Sequence, residues 1–535
     1  MRKAIKEVPV HWLRKVLAIA LSAFLLPACS APSGSASGSD SISDGSSSSD
    51  SQQKEAVELV WYTPVNQKAS GEQAMIDCVN AYLKEKCNLT VDFHLSTNAD
   101  YAASISTVIT SGQYMDLVHS GANYIDYVGL AKANAFVALD DYLDQYLPGS
   151  AASVPQGALD AVTVNGSIYA MPYLKDLASN FGWLINEDML ADLDVTFPED
   201  FGTASDVIPF LYEVKEKRDA KYPDQAGNPI MGDVPNALGY YYFYESFNNT
   251  LACANIPGLP NFAGMGDGET VFNVYETDEY RQMMKQVRQM VEDGIAPVDF
   301  DSFDPDRVLY QSGQLVGTYA VGYIYYDEDS NMPYYKSKLY PSKYSTMTTT
   351  YAMSNLQSVS RTSDKVERAL ELLELVNTDS YLATILRFGP EGEYWTDEDN
   401  DNILEFVGVN SDPANRAWYE WYGMFGNLAI SKYPEGYPTN FGALVQELND
   451  SSNQESNLGF IFNPDAVANE ISACSNVIME YNTSLSKAQI EDVDAHVDAF
   501  VQKLRDNGSE RIVEEAQRQL TEWRASVGKS VGEES

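Results

Sequence analysis

The sequence predicts an α/β fold arranged as two lobes joined by a hinge, with helical additions at the C-terminus. Three observations carry this. Strand-type and helix-type periodicities alternate from Glu58 to Gly121, the order of a layered α/β unit. A chain of 535 residues is too long for one core and fits two large lobes. The stretch Val164 to Leu190, VNGSIYAMPYLKDLASNFGWLINEDML, reads as hairpin, polar break, strand and capped helix, which is what a chain does on leaving one α/β unit for another.

Taken in order, Glu58 to Thr63 is the first strand, and Glu72 to Lys86 the helix after it, with Met75, Cys78, Val79, Tyr82 and Leu83 on one face. Val91 to Leu95 is the next strand, Tyr101 to Thr110 a helix, and Asp116 to His119 a short buried strand reaching Gly121. Ligands of open α/β sheets sit beyond the carboxyl ends of strands, which puts Tyr62, Thr63, His119 and Ser120 at a binding rim. In the crossing stretch, Asn165-Gly166 is a residue pair that tolerates positive φ in a two-residue turn, Pro172 stops the second strand, and Lys175 and Asp176 lie in the polar gap. Phe181 to Ile185 is a further strand, and Asn186 caps a helix. Arg218 to Asn236 reads as an exposed loop and Gly239 to Phe247 as a dense aromatic run. Thr277 caps a helix with Met283, Val287, Met290 and Val291 inward, ending at Gly294. A strand near Tyr351 and a helix from Asp364 to Val376 capped by Ser363 follow, and the last third is helical, with Val493, Val497, Phe500, Val501 and Leu504 packed against the body.

The N-terminus carries an address. Five basic residues precede the apolar run Val16 to Leu26, too short to anchor stably in a bilayer, so residues 1–28 read as a secretory signal. Leu26-Pro27-Ala28-Cys29 resembles the lipobox at which a bacterial lipoprotein is diacylated on cysteine and cut before it, which makes Cys29 the lipidation site. Residues 29–54 are Ser, Gly and Asp-rich with nothing to bury, a flexible tether. The formal charge is −42. Removing residues 1–28 takes away five basic and one acidic side chain and leaves 30 basic against 76 acidic, or −46. Such a surface repels nucleic acid and anionic lipid. Cys78, Cys87, Cys253 and Cys474 form no CxxC, and their pairing stays open.

Catalysis finds little support. Beyond residue 28 there are only His94, His119 and His496, with no HExxH, GxSxG or phosphate-binding glycine loop. Carboxylate pairs decide nothing among 77 acidic residues. Asp397-x-Asp399-x-Asp401 lacks the glycine and the twelfth-position carboxylate of a calcium loop and reads as a solvated acidic turn, so no metal or other cofactor is expected. The unusual signal is aromatic, at 12% with 35 Tyr, clustered at Tyr240 to Tyr244, Tyr323 to Tyr326, Tyr334 to Tyr335 and Trp418 to Tyr422. A tyrosine offers a flat apolar face and a hydroxyl, the combination that suits a polyol ring. The candidate binding residues are Tyr62, Asp116, His119, Ser120, Tyr173, Lys175, Asp176, Glu245, Tyr323, Tyr325 and Trp421.

LVWYT at Leu59 to Thr63, SGQYMDLVHSG at Ser111 to Gly121, FVALDDYLDQY at Phe136 to Tyr146, the crossing stretch, QLVGTYAVGYIYY at Gln314 to Tyr326 and LGFIFNP at Leu458 to Pro464 together resemble the extracellular solute-binding lipoproteins of bacterial ABC importers, in the large branch of the maltose-binding type. That resemblance implies a two-lobe periplasmic-binding-protein-like fold with a ligand in the interlobe cleft, and points to Lys175 and Asp176 as site residues. Residues 55–176 and 312–362 are expected in the first lobe, and 177–311 and 363–535 in the second. The function expected is capture of a small-molecule solute, a carbohydrate and in particular an oligosaccharide, by a monomer that does no chemistry. It would be lipid-anchored at the extracellular face of the cytoplasmic membrane and deliver to ABC permease subunits. A surface glycan-processing enzyme, a sensor for a membrane signalling protein and a peptide binder are the rivals.

Overall fold

Val57–Val65, VELVWYTPV, is rich in β-branched and aromatic residues and forms the first strand of a mixed sheet. In the computed structural model, residues 54–178, 181–201, 204–231, 268–297, 312–321, 337–341, 345–413, 415–420, 424–486 and 490–528 are described, with 256, 259, 262–264 and 309. We number the strands of the two main sheets β1 (Val57–Val65), β2 (Leu89–Thr97), β3 (Leu117–His119), β4 (Met171–Pro172), β5 (Phe181–Asn186), β6 (Gly317–Val321), β7 (Ser337–Pro341) and β8 (Leu356–Val359).

The first sheet runs β2-β1-β3-β8-β4. β1 is parallel to β2, Val57 opposite Leu89 through Val65 opposite Thr97, and parallel to β3. β8 is antiparallel to both β3 and β4, so β1, β2, β3 and β4 all point the same way. The helix Glu72–Cys87 buries Met75, Val79 and Leu83 as its spacing predicts, with Cys78 and Tyr82 half-buried at the edge of that face. Thr97 caps the helix Asn98–Thr110 by accepting from the Asp100 amide. Trp61 is wholly buried between Phe93 and Phe425, ring centroids at 5.4 and 5.9 Å. The hairpin forms as expected, Thr163–Val164 against Ser167–Ile168, with Asn165 and Gly166 at φ 52° and 84°.

The second sheet is antiparallel and runs β6-β5-β7, with Gly317 opposite Ile185 and Ser337 opposite Asn186. Asn186 accepts from the Met189 amide and starts the helix Glu187–Leu193. Thr277 caps Asp278–Glu292, whose Met283, Val287, Met290 and Val291 face inward, and Gly294 follows at φ 70°. Val493–Asp506 buries its expected stripe, and Ser509–Ser526 buries Ile512, Ala516 and Leu520. Each fully buried large apolar side chain contributes about 1.5–3 kcal/mol, enough to hold these helices to the body without a partner.

Lys54–Ser535 is one compact unit holding two separate hydrophobic cores. Ala178 belongs to the first core and Trp183 to the second. Tyr340 belongs to the second and Met347 to the first, and Leu458 to the first and Phe460 to the second. The chain therefore crosses between cores within 178–183, 340–347 and 458–460. Neither 312–362 nor 363–535 stays together as expected: Val316, Tyr340 and the strands β6 and β7 belong to the second core and sheet. Side chains from Ala369 to Leu458 pack in the first core, because the helices Val366–Thr378 and Ser380–Phe388 cover the first sheet.

Three local expectations are corrected. Tyr351 lies in a short helix, Thr349–Met353, started by Thr348, and the strand comes after it. Ser363 does not cap the next helix, which begins at Val366; its hydroxyl accepts from the Lys365 amide and donates to Asp116. Arg218 is in the helix Ile208–Lys221, wholly buried, donating to the Asn228 and Pro229 carbonyls and to Asp219. The aromatic run at 239–247 and the end of the return segment at 322–326 lie outside the described residues.

Gly317 tests the second sheet. Its φ is 154°, and a Cβ there would sit 2.2 Å from the Leu184 carbonyl oxygen. Gly317→Ala is predicted to lower unfolding free energy by about 1–3 kcal/mol in chemical denaturation; an unchanged midpoint would contradict the strand register.

Candidate functional site

Because β1, β2, β3 and β4 run the same way, their carboxyl ends open on one edge of the first sheet, where α/β folds bind ligands. Asn66 leaves β1 there, Asn98 leaves β2, His119 and Ser120 end β3, and Tyr173 follows β4. These residues form one connected wall. Asn98 donates from Nδ2 to Asn66 Oδ1 at 3.2 Å, and the Tyr124 hydroxyl donates to Asn98 Oδ1 at 3.0 Å. The Tyr124 ring meets His119 edge-on, 5.1 Å between centroids, and His119 packs against Tyr173 at 5.7 Å. Tyr173 donates to Gln357, which lies opposite His119 on β8. Asn66 is exposed and Asn98 and Tyr124 half-exposed, so the polar end of the wall faces solvent.

The other end is buried. His119 is wholly enclosed, and among the described residues neither ring nitrogen has a hydrogen-bond partner. Burial lowers its pKa to about 3, so the ring is neutral at physiological pH. Gln357 Nε2 and Thr63 Oγ1 are likewise buried without a partner among the described residues. Burial raises the Tyr173 phenol far above its ordinary value and lowers Arg387 to about 9; this guanidinium donates to the Ala383 and Gly426 carbonyls.

Glu420 closes the wall from beneath. Its carboxylate is buried and accepts from the Asn66 amide at 3.1 and 3.0 Å and from Asn66 Nδ2 at 2.9 Å. Burial raises its pKa to about 7, against the opposing pull of the Asn66 and Gln67 donors. The composition signal that singled out the Trp418 to Tyr422 cluster was aromatic and passed over the acid inside it. Trp418 itself is buried and donates from Nε1 to the Leu386 carbonyl. Asn66, Asn98, Tyr124 and Gln357 were also missed; a scan for polar residues just past each strand end would have found the first two.

The remaining sequence candidates fall as follows. His119 and Tyr173 join this wall. Ser120 lies at the same edge but is buried and bonded to Ser358 at 2.6 Å. Tyr62 stacks on His94 at 4.2 Å and accepts from Gln113 at 2.6 Å, so its hydroxyl is engaged inside the lobe. Asp116 is a correction. It precedes β3 and so stands at the amino end, opposite the rim. Its buried carboxylate accepts from the Val60 amide at 2.8 Å, Tyr114 at 2.8 Å and Ser363 at 2.6 Å. Lys175 and Asp176 are buried at the first crossing, 3.7 Å apart, with Lys175 Nζ 5.7 Å from the Tyr351 ring and Asn449 bonded to the backbone on both sides of the pair. Burial lowers the Lys175 pKa. They brace the crossing and present little surface. Glu245, Tyr323, Tyr325, Trp421 and Cys29 lie outside the described residues.

The Asp397, Asp399 and Asp401 carboxylates come within 4.8 Å of one another. Lys432 pairs with Asp397, which places an ammonium at that turn. Cys78, Cys87 and Cys474 are free thiols.

Two outcomes follow for the first lobe. Asp116→Ala strips an acceptor from three donors and is predicted to cost about 2–3 kcal/mol in denaturant unfolding; a cost under about 0.5 kcal/mol would restore Asp116 as a surface group. For His119 the folded pKa is depressed, so its contribution is complete above the unfolded value of 6.5 and is lost as pH falls toward 3. His119→Gln is predicted to flatten the acid limb of the stability profile, by up to about 1.4 kcal/mol per pH unit; an unaltered limb would show that His119 does not titrate there.

Comparison with known proteins agrees with this architecture. A domain of unknown function, DUF3502, matches residues 456–525. A carbohydrate ABC transporter substrate-binding protein of Streptococcus pneumoniae serotype 4 is 25% identical over 468 residues, 86% of this chain and 89% of that protein. The fructooligosaccharide ABC transporter substrate-binding protein FusA of the same organism is 23% identical over 273 residues, 48% of each chain. Among solved structures, the N-glycan transport solute binding protein NgtS from S. pneumoniae superposes with a TM-score of 0.66 at 21% identity, covering 87% of this chain and 98% of that one. An HMO-binding ABC-transporter-associated solute binding protein from Bifidobacterium longum infantis gives 0.55 at 16% identity, covering 88% and 99%. In fold, and in sequence over most of its length, this chain is similar to the substrate-binding proteins of bacterial ABC importers.

Proposed function

We propose that the chain captures an extracellular oligosaccharide between its two lobes and hands it, unaltered, to an ABC permease, tethered to the membrane through a diacylated Cys29. The observation that carries this reading is the wall of Asn66, Asn98, Tyr124 and His119. Planar amides, a phenol and aromatic faces stand together at the carboxyl edge of a sheet. Amide and hydroxyl groups pair with sugar hydroxyls in either direction, and ring faces cover the apolar C–H surface of a pyranose. Support comes from the relatives: one is named for carbohydrate transport, and NgtS structures are titled as complexes with Man1GlcNAc and Man5GlcNAc. Both are transport proteins, which favours capture over glycan processing.

The mechanism proposed is hinge closure. The first lobe offers its wall in the open form, and groups of the second lobe add contacts only when the crossings bend. Moving such an equilibrium from mostly open to mostly closed takes about 5.5 kcal/mol of differential binding, on the order of several hydrogen bonds to a buried sugar plus one or two stacked rings. Lys175 and Asp176, buried just before the first crossing, would set where that bend begins.

A thermal-shift screen over neutral oligosaccharides, with Man5GlcNAc and kestose among them, checks the reading. At least one is predicted to raise the midpoint, because ligand at a hundred times its Kd stabilises by about 2.7 kcal/mol, and to be recovered chemically intact. Tyr124→Ala should then weaken that binding by about tenfold, one lost hydrogen bond with its stacking face. Conversion of the glycan, or a library that leaves the midpoint unmoved, would overturn the proposal.

A further inference from the structure

Asn66 and Gln67 are exposed loop residues just past β1, and loops of that kind are usually free to move. The first residues of this one are tied down by a buried group, while Lys68 and Gly71 further along hold to the Leu95 and Ala417 carbonyls. Glu420 accepts from the Asn66 amide and from Asn66 Nδ2, and the neighbouring Gln67 amide also favours its charged form. Its own amide donates to the Arg387 carbonyl at 2.9 Å, which fixes the Glu420 backbone to the end of the helix Ser380–Phe388. From Asn66 the connection continues through Asn98 to Tyr124, so the carboxylate is linked to the solvent-facing end of the wall.

That carboxylate has no cation among the described residues. Arg387 aims its guanidinium at the Ala383 and Gly426 carbonyls, Lys68 reaches the Leu95 carbonyl and Glu72, and Arg416 stacks over Phe406 and Tyr419. The titratable group that faces Glu420 is Tyr124, whose own ionisation Glu420 opposes. A buried carboxylate held by neutral donors alone keeps its charge at a cost, and protonation at Oε1 turns one acceptor into a donor and leaves Oε2 as a neutral, weaker acceptor for the Asn66 amide and Nδ2.

We propose that Glu420 is a positioning residue for the ligand-facing edge: ionised, it holds Asn66 and Gln67 in place, and protonated, it releases them, which makes capture at this edge weaker in mild acid than above neutrality. The inference rests on the proposed capture of a sugar at this edge, but its core can be read without a ligand. The rise of the Glu420 pKa to about 7 places the change within an ordinary range of growth pH.

Hydrogen exchange of the full chain at residues 64–70, corrected for intrinsic rates, tests it directly. At pH 8 the wild-type Asn66 and Gln67 amides should exchange at least tenfold more slowly than in Glu420→Gln, and at pH 5.5 the two proteins should converge. Thermal midpoints give an independent reading. Because the folded value is raised, the stability Glu420 contributes is present below the unfolded carboxyl range and is lost as pH rises through about 7. The wild-type midpoint should therefore fall relative to Glu420→Gln between pH 5 and 8. Equal exchange at pH 8, or a pH-independent midpoint difference, would overturn the inference. With Man5GlcNAc as probe, wild-type affinity should drop at least threefold from pH 8 to 5.5 while that of Glu420→Gln stays flat; a parallel profile in both would also overturn it. Absence of Man5GlcNAc binding at either pH would count against the choice of sugar, and the exchange result would still decide the role of Glu420.

Discussion

Four strands pointing the same way are the constraint on which the rest depends. Hydrogen bonding fixes β1, β2, β3 and β4 in one direction, so their carboxyl ends are forced onto one edge. Whatever residue follows each strand arrives there whether or not its neighbours in sequence are polar. Asn66, Asn98, His119 and Tyr173 are far apart along the chain and adjacent only because of that direction. The chain crosses between the two cores three times, so the first sheet and the second are tied by short segments.

The polar groups buried beneath this edge divide by how completely they are satisfied. Asp116, with three donors at the opposite end of β3, locks β1, β3 and the turn at Ser363 together. Lys175 and Asp176 sit as a buried ion pair just before the first crossing, a place where desolvation makes removal of one partner costly. His119, Gln357 and Thr63 keep buried polar atoms without partners among the described residues. Unsatisfied buried polarity is destabilising and is usually kept for a reason. Here it lies directly behind the surface proposed to meet a polyhydroxylated ligand.

Much of the first lobe was legible in the sequence. The strands and helices from Val57 to Thr110 fall within a few residues of their expected places because alternation and helical spacing agree. Asn165-Gly166 turned as its two residue types require. Other signals competed. Ser363 looked like a cap, but its hydroxyl is shared between the Lys365 amide and Asp116, and the helix starts three residues later. Asp116 was picked as a polar residue at a strand end, but it stands at the amino end, which the carboxyl-end rule that picked His119 and Ser120 excludes. Glu420 could not have been found by pattern at all, since its contact with Asn66 spans 354 positions. The helices between Val366 and Ser451 were placed in the wrong lobe for a related reason: an amphipathic face says that it must be covered and not by what.

Small-angle X-ray scattering of the chain from residue 29 onward, alone and saturated with an oligosaccharide that raises its thermal midpoint, tests the central claim most directly. Two lobes that close on a guest predict a smaller radius of gyration in the complex and a scattering curve that returns to the open form when the glycan is dialysed away. A radius unchanged by saturating ligand would contradict closure and leave a rigid body with a surface site.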